Sequence, residues 1–283
     1  MKKLLFAGLL ITLTAGQVSA QRNDIGLFLG LAKYKGELSN SLFTINFLHP
    51  AFGAYFRDNF NKHWSFRIGA TIAKVSGDDA YSKYAFEVNR NLSFSSTLQE
   101  VEGRFEFNFM PYELGSNNYL FTTFMFGGLS VFHFNPKAEL HGEEIELQPL
   151  GTEGQGVYAD RQPYSLYSAA LLFGGGIKIN GDNIGFTIEM GVRRAYTDYL
   201  DDVSTTYPDP ASLLAVNGPD AAALSDRTIG YDPLHHEGKK RGNSKDPDWF
   251  MFTGVSAYIG IGSKAKYICR PFHRRHESWS GGW

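Results

Sequence analysis

Residues 167–194 read YSAALLFGGGIKINGDNIGFTIEMGVRR, and this stretch decides the fold class. Asn180-Gly181 stands between two apolar runs, which predicts a β-hairpin with a type I′ turn and positive φ at both turn residues. In the second run every other residue from Ile184 to Val192 is apolar, and Glu189 and Arg193 occupy alternate positions. Because successive side chains of a strand point to opposite faces, this strand has one apolar and one charged face.

Such a two-faced strand fits two environments. In a soluble sandwich the apolar face forms the core and the charged face meets water. In a membrane barrel the apolar face meets lipid and the charged face lines the interior. The hairpin alone does not distinguish them, so the number of strands and the lengths of their connections must decide.

The N-terminus has the three parts of a secretory signal peptide. Lys2 and Lys3 are followed by the apolar run Leu4–Thr14 and by the small-residue site Val18-Ser19-Ala20. We therefore expect residues 1–20 to be removed. Gln21 follows the expected cleavage site, so a lipid-modified cysteine is not indicated there.

The composition agrees with an exported β protein. The chain has 23 Phe, 15 Tyr and 31 Gly, a combination that favours strands, aromatic girdles and tight curvature. The formal net charge of −2 gives no reason to expect nucleic-acid binding. Beyond the signal peptide, we find no apolar run of the roughly 20 residues that a membrane helix needs.

The same alternation predicts eight strands. They are Ile25–Tyr34, Ala51–Asp58, Trp64–Val75, Leu92–Tyr112, Tyr119–Phe134, Tyr167–Ile179, Ile184–Arg194 and Trp249–Gly262.

The connections between these strands alternate in length. Three are short, at 59–62, 113–118 and 180–183, whereas 78–91, 136–164 and 200–248 are long and 36–50 is intermediate. This alternation is typical of an outer-membrane barrel. We predict an all-β fold, an eight-stranded antiparallel up-and-down transmembrane barrel over residues 21–263. We expect short periplasmic turns, long outward loops that include 200–248, and a periplasmic tail over residues 264–283, so that both termini are periplasmic.

The polar faces supply the candidates for the barrel interior. They are Tyr55, Arg67, Glu102, Arg104, Glu106, Glu189 and Arg193. Charged residues inside a narrow barrel are stable only when they pair with one another. Eight strands enclose a space that side chains fill. We therefore interpret these residues as a structural polar network rather than a transport path.

The longest loop begins with three acidic residues. Asp198, Asp201 and Asp202 offer hard oxygen ligands for calcium, but their spacing differs from that of an EF-hand loop. We favour the alternative, a loop start capped by hydrogen bonds from nearby backbone N–H groups, and predict no metal. The remainder, Pro208–Asp248, is rich in Pro, Ala, Gly and charge, which predicts partial disorder.

The sequence contains no recognised catalytic signature. We find no Gly-x-Ser-x-Gly elbow, zinc spacing or phosphate loop, and we expect His235-His236 to be solvated. We predict no enzyme activity, no cofactor and no small-molecule substrate. A Ser/His lipid hydrolase built on the barrel is the alternative, although no trio of residues points to it.

The C-terminal tail carries the single cysteine. Cys269 follows the last strand and lies among basic residues: Arg270, Arg274 and Arg275. An unpaired cysteine in an oxidising compartment suggests an intermolecular disulfide or a free thiol. We interpret the tail as a docking segment for a periplasmic partner. A flexible, solvated tail is the alternative.

Several segments resemble one known family. They are Tyr34–Leu38 (YKGEL), Pro50–Gly53 (PAFG), Tyr55–Arg57 (YFR), Gly77–Asp79 (GDD) and Thr197–Ser204 (TDYLDDVS). Together they resemble the PorG family of Bacteroidetes outer-membrane proteins, across most of the mature chain. The last segment is the most specific, and its central residues are Asp198, Tyr199, Leu200, Asp201 and Asp202.

This resemblance implies a structural component of the type IX secretion system. It implies a barrel that is not an enzyme and that tethers a periplasmic ring to the outer membrane. The ring is built from a PorK-like lipoprotein and a PorN-like partner, and the barrel is embedded in outer-membrane lipid. On this basis Cys269 is a candidate for a disulfide to the ring lipoprotein. A surface adhesin or receptor that acts through residues 200–248 is the first alternative function, and a lipid-modifying enzyme is the second.

Overall fold

The computed structural model describes residues 23–116, 118–230 and 236–261. Its strands are β1 (Asn23–Lys35), β2 (His49–Asn59), β3 (Trp64–Asp78), β4 (Ser93–Asn108), β5 (Phe121–His133), β6 (Pro136–Leu140), β7 (Glu143–Glu146), β8 (Tyr167–Ile179), β9 (Ile184–Ala195) and β10 (Trp249–Ile261). Its α-helices are α1 (Ala85–Arg90), α2 (Pro210–Asn217) and α3 (Pro219–Ser225), and short 3₁₀ helices span Asp79–Tyr81 and Gln148–Leu150.

Eight of these strands close into an antiparallel barrel. Their order is β3-β2-β1-β10-β9-β8-β5-β4, and pairing of β3 with β4 completes the ring. Each barrel strand pairs with the barrel strands next to it in sequence, and β1 pairs with β10. The predicted eight-stranded up-and-down barrel is therefore confirmed, with short connections at one end and long loops at the other.

The outer wall of the barrel is apolar. Along β1 and β9 buried and exposed residues alternate, and the exposed ones include Leu27 (68%) and Ile188 (52%). Water would make such a wall unfavourable, since each square ångström of exposed apolar surface costs about 25 cal/mol. This pattern is typical of a barrel whose wall meets lipid. None of the helices in the described residues is long and apolar enough to cross a membrane.

The barrel interior is layered along its axis. At the short-turn end lies a cluster of Tyr55, Tyr112, Leu114 and Tyr258. Charged side chains fill the middle of the barrel. At the long-loop end they give way to an apolar core of residues from the strands and the loops, among them Phe28, Leu98, Phe132, Leu200 and Phe250.

Two inward-facing glycines make room for the tyrosine layer. A Cβ at Gly26 would overlap the ring of Tyr55, and a Cβ at Gly185 would overlap the ring of Tyr258. In each pair the aromatic ring covers the glycine on the neighbouring strand, which holds the two strands in register.

The opening hairpin forms, but its turn differs from the prediction. β8 and β9 pair from Ala170 opposite Ala195 to Ile179 opposite Phe186. Neither Asn180 nor Gly181 has positive φ, so the predicted type I′ turn is wrong. The Asn180 side chain instead donates to the carbonyls of Glu113, Ser116 and Tyr119 in the neighbouring turn. These contacts fix a longer connection than two residues.

The long loops form an ordered layer, which we call the cap (residues 36–48, 79–92, 134–166, 196–230 and 236–248). The predicted disorder of Pro208–Asp248 is wrong for 208–230 and 236–248, and residues 231–235 lie outside the described part. Asp209 caps α2 by accepting from the Ser212 N–H at 2.9 Å. Leu213 and Leu224 are buried. The short helices are therefore held by capping and burial, which composition alone did not indicate.

Two smaller differences concern strand limits. The hairpin of β6 and β7, which joins the sheet at the edge of β4, was not predicted because Glu143–Glu146 lacks an apolar alternation. The fourth strand was predicted to reach Tyr112 but ends at Asn108. The backbone then turns inward, and Tyr112 joins the tyrosine layer.

Candidate functional site

Five cations and five carboxylates meet inside the barrel, and we call this set the lumen network. Its members are Arg57, Arg67, Arg104, Lys178 and Arg193, with Asp24, Glu100, Glu102, Glu106 and Glu189. All ten are at least nine-tenths buried. Equal numbers of opposite charges give the network no formal net charge, as a dry interior requires.

Arg104 lies at the centre of the lumen network. Its guanidinium is 2.8 Å from Glu189, 2.9 Å from Glu106 and 3.5 Å from Glu102. Strand register brings these groups together, since Arg57, Arg67 and Arg104 lie opposite one another on β2, β3 and β4. Three adjacent cations repel one another unless carboxylates lie between them. Glu102, Glu106 and Glu189 supply these carboxylates, since each of them pairs with at least two cations of the lumen network.

Every cation of the lumen network also stacks on an aromatic ring. Arg67 lies 3.7 Å from the centroid of Tyr55, and Arg104 lies 3.9 Å from that of Phe126. The remaining pairs are Arg57 with Tyr258, Lys178 with Phe124 and Arg193 with Phe252. These rings and the ion pairs fill the cross-section of the barrel with side chains.

The structure places all seven interior candidates from the sequence inside the barrel. The six charged residues among them join the lumen network, and the ring of the seventh, Tyr55, packs against Arg67. Sequence reasoning missed Asp24, Arg57, Glu100 and Lys178 as members. The alternation along each strand already carried the signal, because Lys178 stands between the outward-facing Ile177 and Ile179. In β8 the run of three glycines obscured that alternation.

Tyrosines close the short-turn end beneath the lumen network. The hydroxyls of Tyr112 and Tyr258 are hydrogen-bonded to each other, and Tyr112 also donates to the Ile179 carbonyl. Arg57 stacks over Tyr258 and pairs with Asp24 at 2.8 Å. The interior is thus blocked at this end by rings and in its middle by ion pairs.

Two buried arginines organise the cap. Arg241 pairs with Glu153 at 3.1 Å and donates to the Ser225 carbonyl at 3.0 Å. Arg90 pairs with Asp79 at 2.8 Å and donates to the Arg241 carbonyl at 2.7 Å. These bonds join segments far apart in sequence, so the loops form one packed layer over the barrel mouth.

The family-motif residues lie at the base of the cap. Leu200 is fully buried in the apolar core, and Tyr199 stacks on Tyr164 with centroids 4.5 Å apart. Asp202 accepts from the Tyr164 hydroxyl at 2.7 Å and lies 3.6 Å from Arg241. Asp201 accepts from the Val203 N–H at 3.0 Å, the capping contact that the sequence suggested.

A group of acids lies beside this motif, and we call Glu37, Asp198, Asp201 and Asp248 the acidic cluster. The Tyr34 hydroxyl donates to Asp201 at 2.6 Å and lies 3.0 Å from Asp248. Burial raises the pKa of Asp201 to about 7 and holds that of Asp248 well above its usual range. Burial and neighbouring carboxylates raise the pKa of Glu37 to about 9 and that of Asp198 to about 8. Burial thus disfavours ionisation of all four, and neighbouring carboxylates add to this effect at Glu37, Asp198 and Asp248.

The remaining predicted residues divide into two groups. His236, expected to be solvated, is partly buried and hydrogen-bonds to Asp226 at 3.0 Å, so that prediction is wrong. His235 and the tail residues Cys269, Arg270, Arg274 and Arg275 lie outside the described residues. Their proposed docking role stays a prediction.

A family model described as a domain of unknown function, DUF6089, matches residues 2–217. The match covers more than half of the chain. The chain belongs to the DUF6089 family. In this DUF6089 protein the matched region runs from the N-terminus through β9 and ends with α2, so β10, which closes the barrel, lies beyond it. No curated protein matches the sequence.

Solved structures similar to this DUF6089 protein are bacterial surface barrels. Neisserial surface protein A is 9% identical with a TM-score of 0.42, covering 84% of this chain and 97% of its own. Ail of Yersinia pestis, solved with the heparin analogue sucrose octasulfate, is 9% identical with a TM-score of 0.39. The match covers 86% of this chain and 100% of the Ail chain. The N-terminal barrel of Pseudomonas aeruginosa OprF is 8% identical with a TM-score of 0.33. The match covers 85% of this chain and 100% of the OprF chain. The barrel assignment for this DUF6089 protein rests on its own strand pairing.

Proposed function

We propose that this protein spans the outer membrane as a sealed barrel and works as a structural anchor. The lumen network carries this proposal. Its ten charged side chains and the rings stacked on them fill the interior, and the tyrosine layer closes one end. A filled interior suits a part that holds other components in place rather than one that conducts solutes.

The membrane environment is supported by the apolar wall and by the predicted signal peptide. An exported chain with an apolar outer wall would need lipid around it, and a barrel satisfies its backbone hydrogen bonds by closure. We propose that the short turns and both termini face the periplasm and that the cap faces outward.

The finer proposal is that the barrel tethers the periplasmic ring of a type IX secretion system. It is supported by the resemblance of residues 197–204 to the PorG family and by the sealed interior. The partners would be a PorK-like lipoprotein and a PorN-like protein that bind the periplasmic face. Cys269 and the basic residues near it are the proposed attachment point.

Affinity purification from detergent-extracted membranes tests the tether. We expect a tagged full-length chain to retain the ring lipoprotein and its partner after washing. A second tagged barrel of the same membrane, purified in parallel, is the control and should retain neither. Recovery of the tagged chain without ring proteins, while the ring remains intact elsewhere in the same extract, would contradict the tether.

The proposed disulfide has its own test. Membranes that carry the wild-type chain should give a high-mass band on non-reducing gels that contains the ring lipoprotein. Cys269→Ser should abolish that band, and reducing agent should do the same to the wild type. A band that survives Cys269→Ser would rule out this linkage without bearing on the barrel itself.

A surface receptor is a second candidate function, because the cap exposes large apolar side chains. Phe43, Ile45 and Phe86 are 77%, 84% and 68% exposed. Large apolar side chains exposed to solvent favour contact with a partner when they form a patch. A triple substitution of these residues with serine should leave the barrel folded. Loss of cell binding with secretion intact would favour the receptor over the tether.

A barrel enzyme finds little support in the contacts. His49 Nε2 lies 2.7 Å from the Ser76 hydroxyl, as in a nucleophile–base pair. The charged neighbours that act on His49 are the cations Lys33 and Lys74, and in the described ranges no carboxylate hydrogen-bonds its other ring nitrogen. We therefore propose no enzyme activity, and unchanged lipid A in a deletion strain is the expected result.

A further inference from the structure

One oxygen from each of three carboxylates in the acidic cluster converges on a single point of the cap. The ligand atoms of Glu37, Asp198 and Asp248 lie within 4.8 Å of one another. They come from three separate segments, the loop after β1, the loop after β9 and the residue that precedes β10. This spacing fits carboxylate oxygens around one hard cation.

Two of these carboxylates have buried oxygens without a partner. Both oxygens of Asp198 and Oε2 of Glu37 expose less than 1 Å² and accept no hydrogen bond. Ser204 lies near enough to Asp198 to lower its pKa, against the larger effect of burial, but no hydrogen bond of normal geometry reaches either oxygen. Buried carboxylate oxygens are costly unless something satisfies them. Asp248, the third carboxylate, is fully buried beside them.

Arg90 and Arg241 lie near enough to the acidic cluster to lower the pKa of Asp201, but neither forms an ion pair with it. Elsewhere in the cap, Asp79 pairs with Arg90 and Glu153 pairs with Arg241, whereas the buried Glu87 accepts hydrogen bonds from Asn40 and Ser82. Within the described part of the chain, no lysine or arginine forms an ion pair with any member of the acidic cluster. Among the described residues the acidic cluster therefore has no direct cationic partner.

A cavity of about 470 Å³ at the cap surface reaches Glu37, one member of the acidic cluster. Its lining is mixed in charge, with the acids Glu37, Glu87 and Asp246 and the cations Lys35, Arg90, Lys240 and Arg241. Glu37 belongs both to the acidic cluster and to the cavity lining. Its Oε1 accepts from the N–H of Asn243, which also lines the cavity, at 3.2 Å. The Glu37 carboxylate therefore connects this cavity with the acidic cluster.

We propose that Glu37, Asp198 and Asp248 bind one calcium ion that staples three segments of the cap. The all-oxygen ligand set excludes metals that prefer nitrogen or sulfur. Irregular loop ligands with several carboxylates suit calcium better than magnesium, which demands near-ideal octahedral geometry. The site is separate from the ring tether, so it stands whether or not that proposal holds.

Terbium luminescence in the purified full-length barrel tests the site. Tyr34 donates to two cluster carboxylates, so it should transfer excitation to a bound lanthanide. We expect saturable emission that calcium displaces at lower concentration than magnesium does. Asp198→Asn and Glu37→Gln should each weaken binding on the order of tenfold. Asp220→Asn, an exposed acid on α3, is the control and should bind as the wild type does.

Thermal unfolding separates a ligand role from a packing role. Calcium should raise the unfolding temperature of the wild type and of Asp220→Asn, but not that of Asp198→Asn. In chelator Asp198→Asn should be at least as stable as the wild type, because burial already disfavours a carboxylate at this position and asparagine is neutral. Absence of wild-type binding would overturn the proposal, as would tighter competition by magnesium. Equal destabilisation of Asp198→Asn in calcium and in chelator would overturn it too.

Discussion

Arg104→Met tests whether the lumen network holds the barrel together. Arg104 is fully buried and pairs with Glu106 at 2.9 Å and Glu189 at 2.8 Å. Methionine fills a similar volume without the charge. The substitution leaves five carboxylates facing four cations in a space that water does not reach.

The expected loss of stability is about 3 kcal/mol. Removing one partner of a buried ion pair costs about 3–5 kcal/mol, because the other charge stays buried. Here each carboxylate keeps a second cation, since Glu189 retains Arg67 at 3.0 Å and Glu106 retains Lys178 at 2.7 Å. The lower end of the range is therefore expected.

The double variant Arg104→Met/Glu189→Gln should recover most of this loss, to within about 1 kcal/mol of the wild type. The double variant leaves four cations and four carboxylates in the lumen network. Glu189 is the carboxylate to remove, because among the described residues it pairs only with Arg104 and Arg67. Lys62→Met is the matched control. Lys62 pairs with Glu113 at 3.4 Å, but both side chains are about half exposed, so its loss should cost about 0–1 kcal/mol.

Urea titration of each variant in lipid vesicles measures these values, with folded and unfolded forms separated by gel mobility without heating. A loss below about 1 kcal/mol for Arg104→Met would refute the reasoning. So would a double variant less stable than the single one, because charge balance would then not be what stabilises the interior.

Three further predictions concern the strands and the cap. Gly185→Ala should destabilise the barrel by about 1–3 kcal/mol in the same titration, because its Cβ would overlap the Tyr258 ring. Gly103→Ala is the control and should cost less, because a Cβ there would make only ordinary van der Waals contact. Asp209→Ala should lose about 1 kcal/mol of helix stability and speed hydrogen exchange at the Ser212 amide; unchanged exchange would count against the cap. In chelator, the free energy of unfolding should fall as pH rises from about 6 to about 9. The acidic cluster, with pKa values of about 7 to 9, binds more protons when folded than when unfolded over this range. A rise over that range would contradict it.

Local patterns were enough to predict the barrel. The alternation along β9 and the alternation of connection lengths each depend on residues close in sequence, and both survive in the structure. The charged members of the lumen network could be found for the same reason, because a strand's period fixes which side chains face inward.

Contacts between distant segments were not predictable in this way. Asn180 binds the neighbouring turn rather than forming its own tight turn, and Tyr34 joins Asp248 across 214 positions. The composition of 208–248 suggested disorder, whereas Arg241 ties that segment to Glu153, 88 positions away. Such pairings depend on how the loops stack, and a single sequence does not encode that stacking in any short pattern.

Spin labels read by electron paramagnetic resonance test the central claim, that lipid surrounds the apolar wall. With Cys269→Ser as background, a label at Ile188→Cys reports on the wall and one at Asp220→Cys reports on the cap. In vesicles, oxygen should relax the Ile188 label more than a water-soluble nickel chelate does, and the order should reverse at Asp220. Stronger relaxation of the Ile188 label by the nickel chelate would mean that water covers the wall, and the anchor proposed here would be wrong.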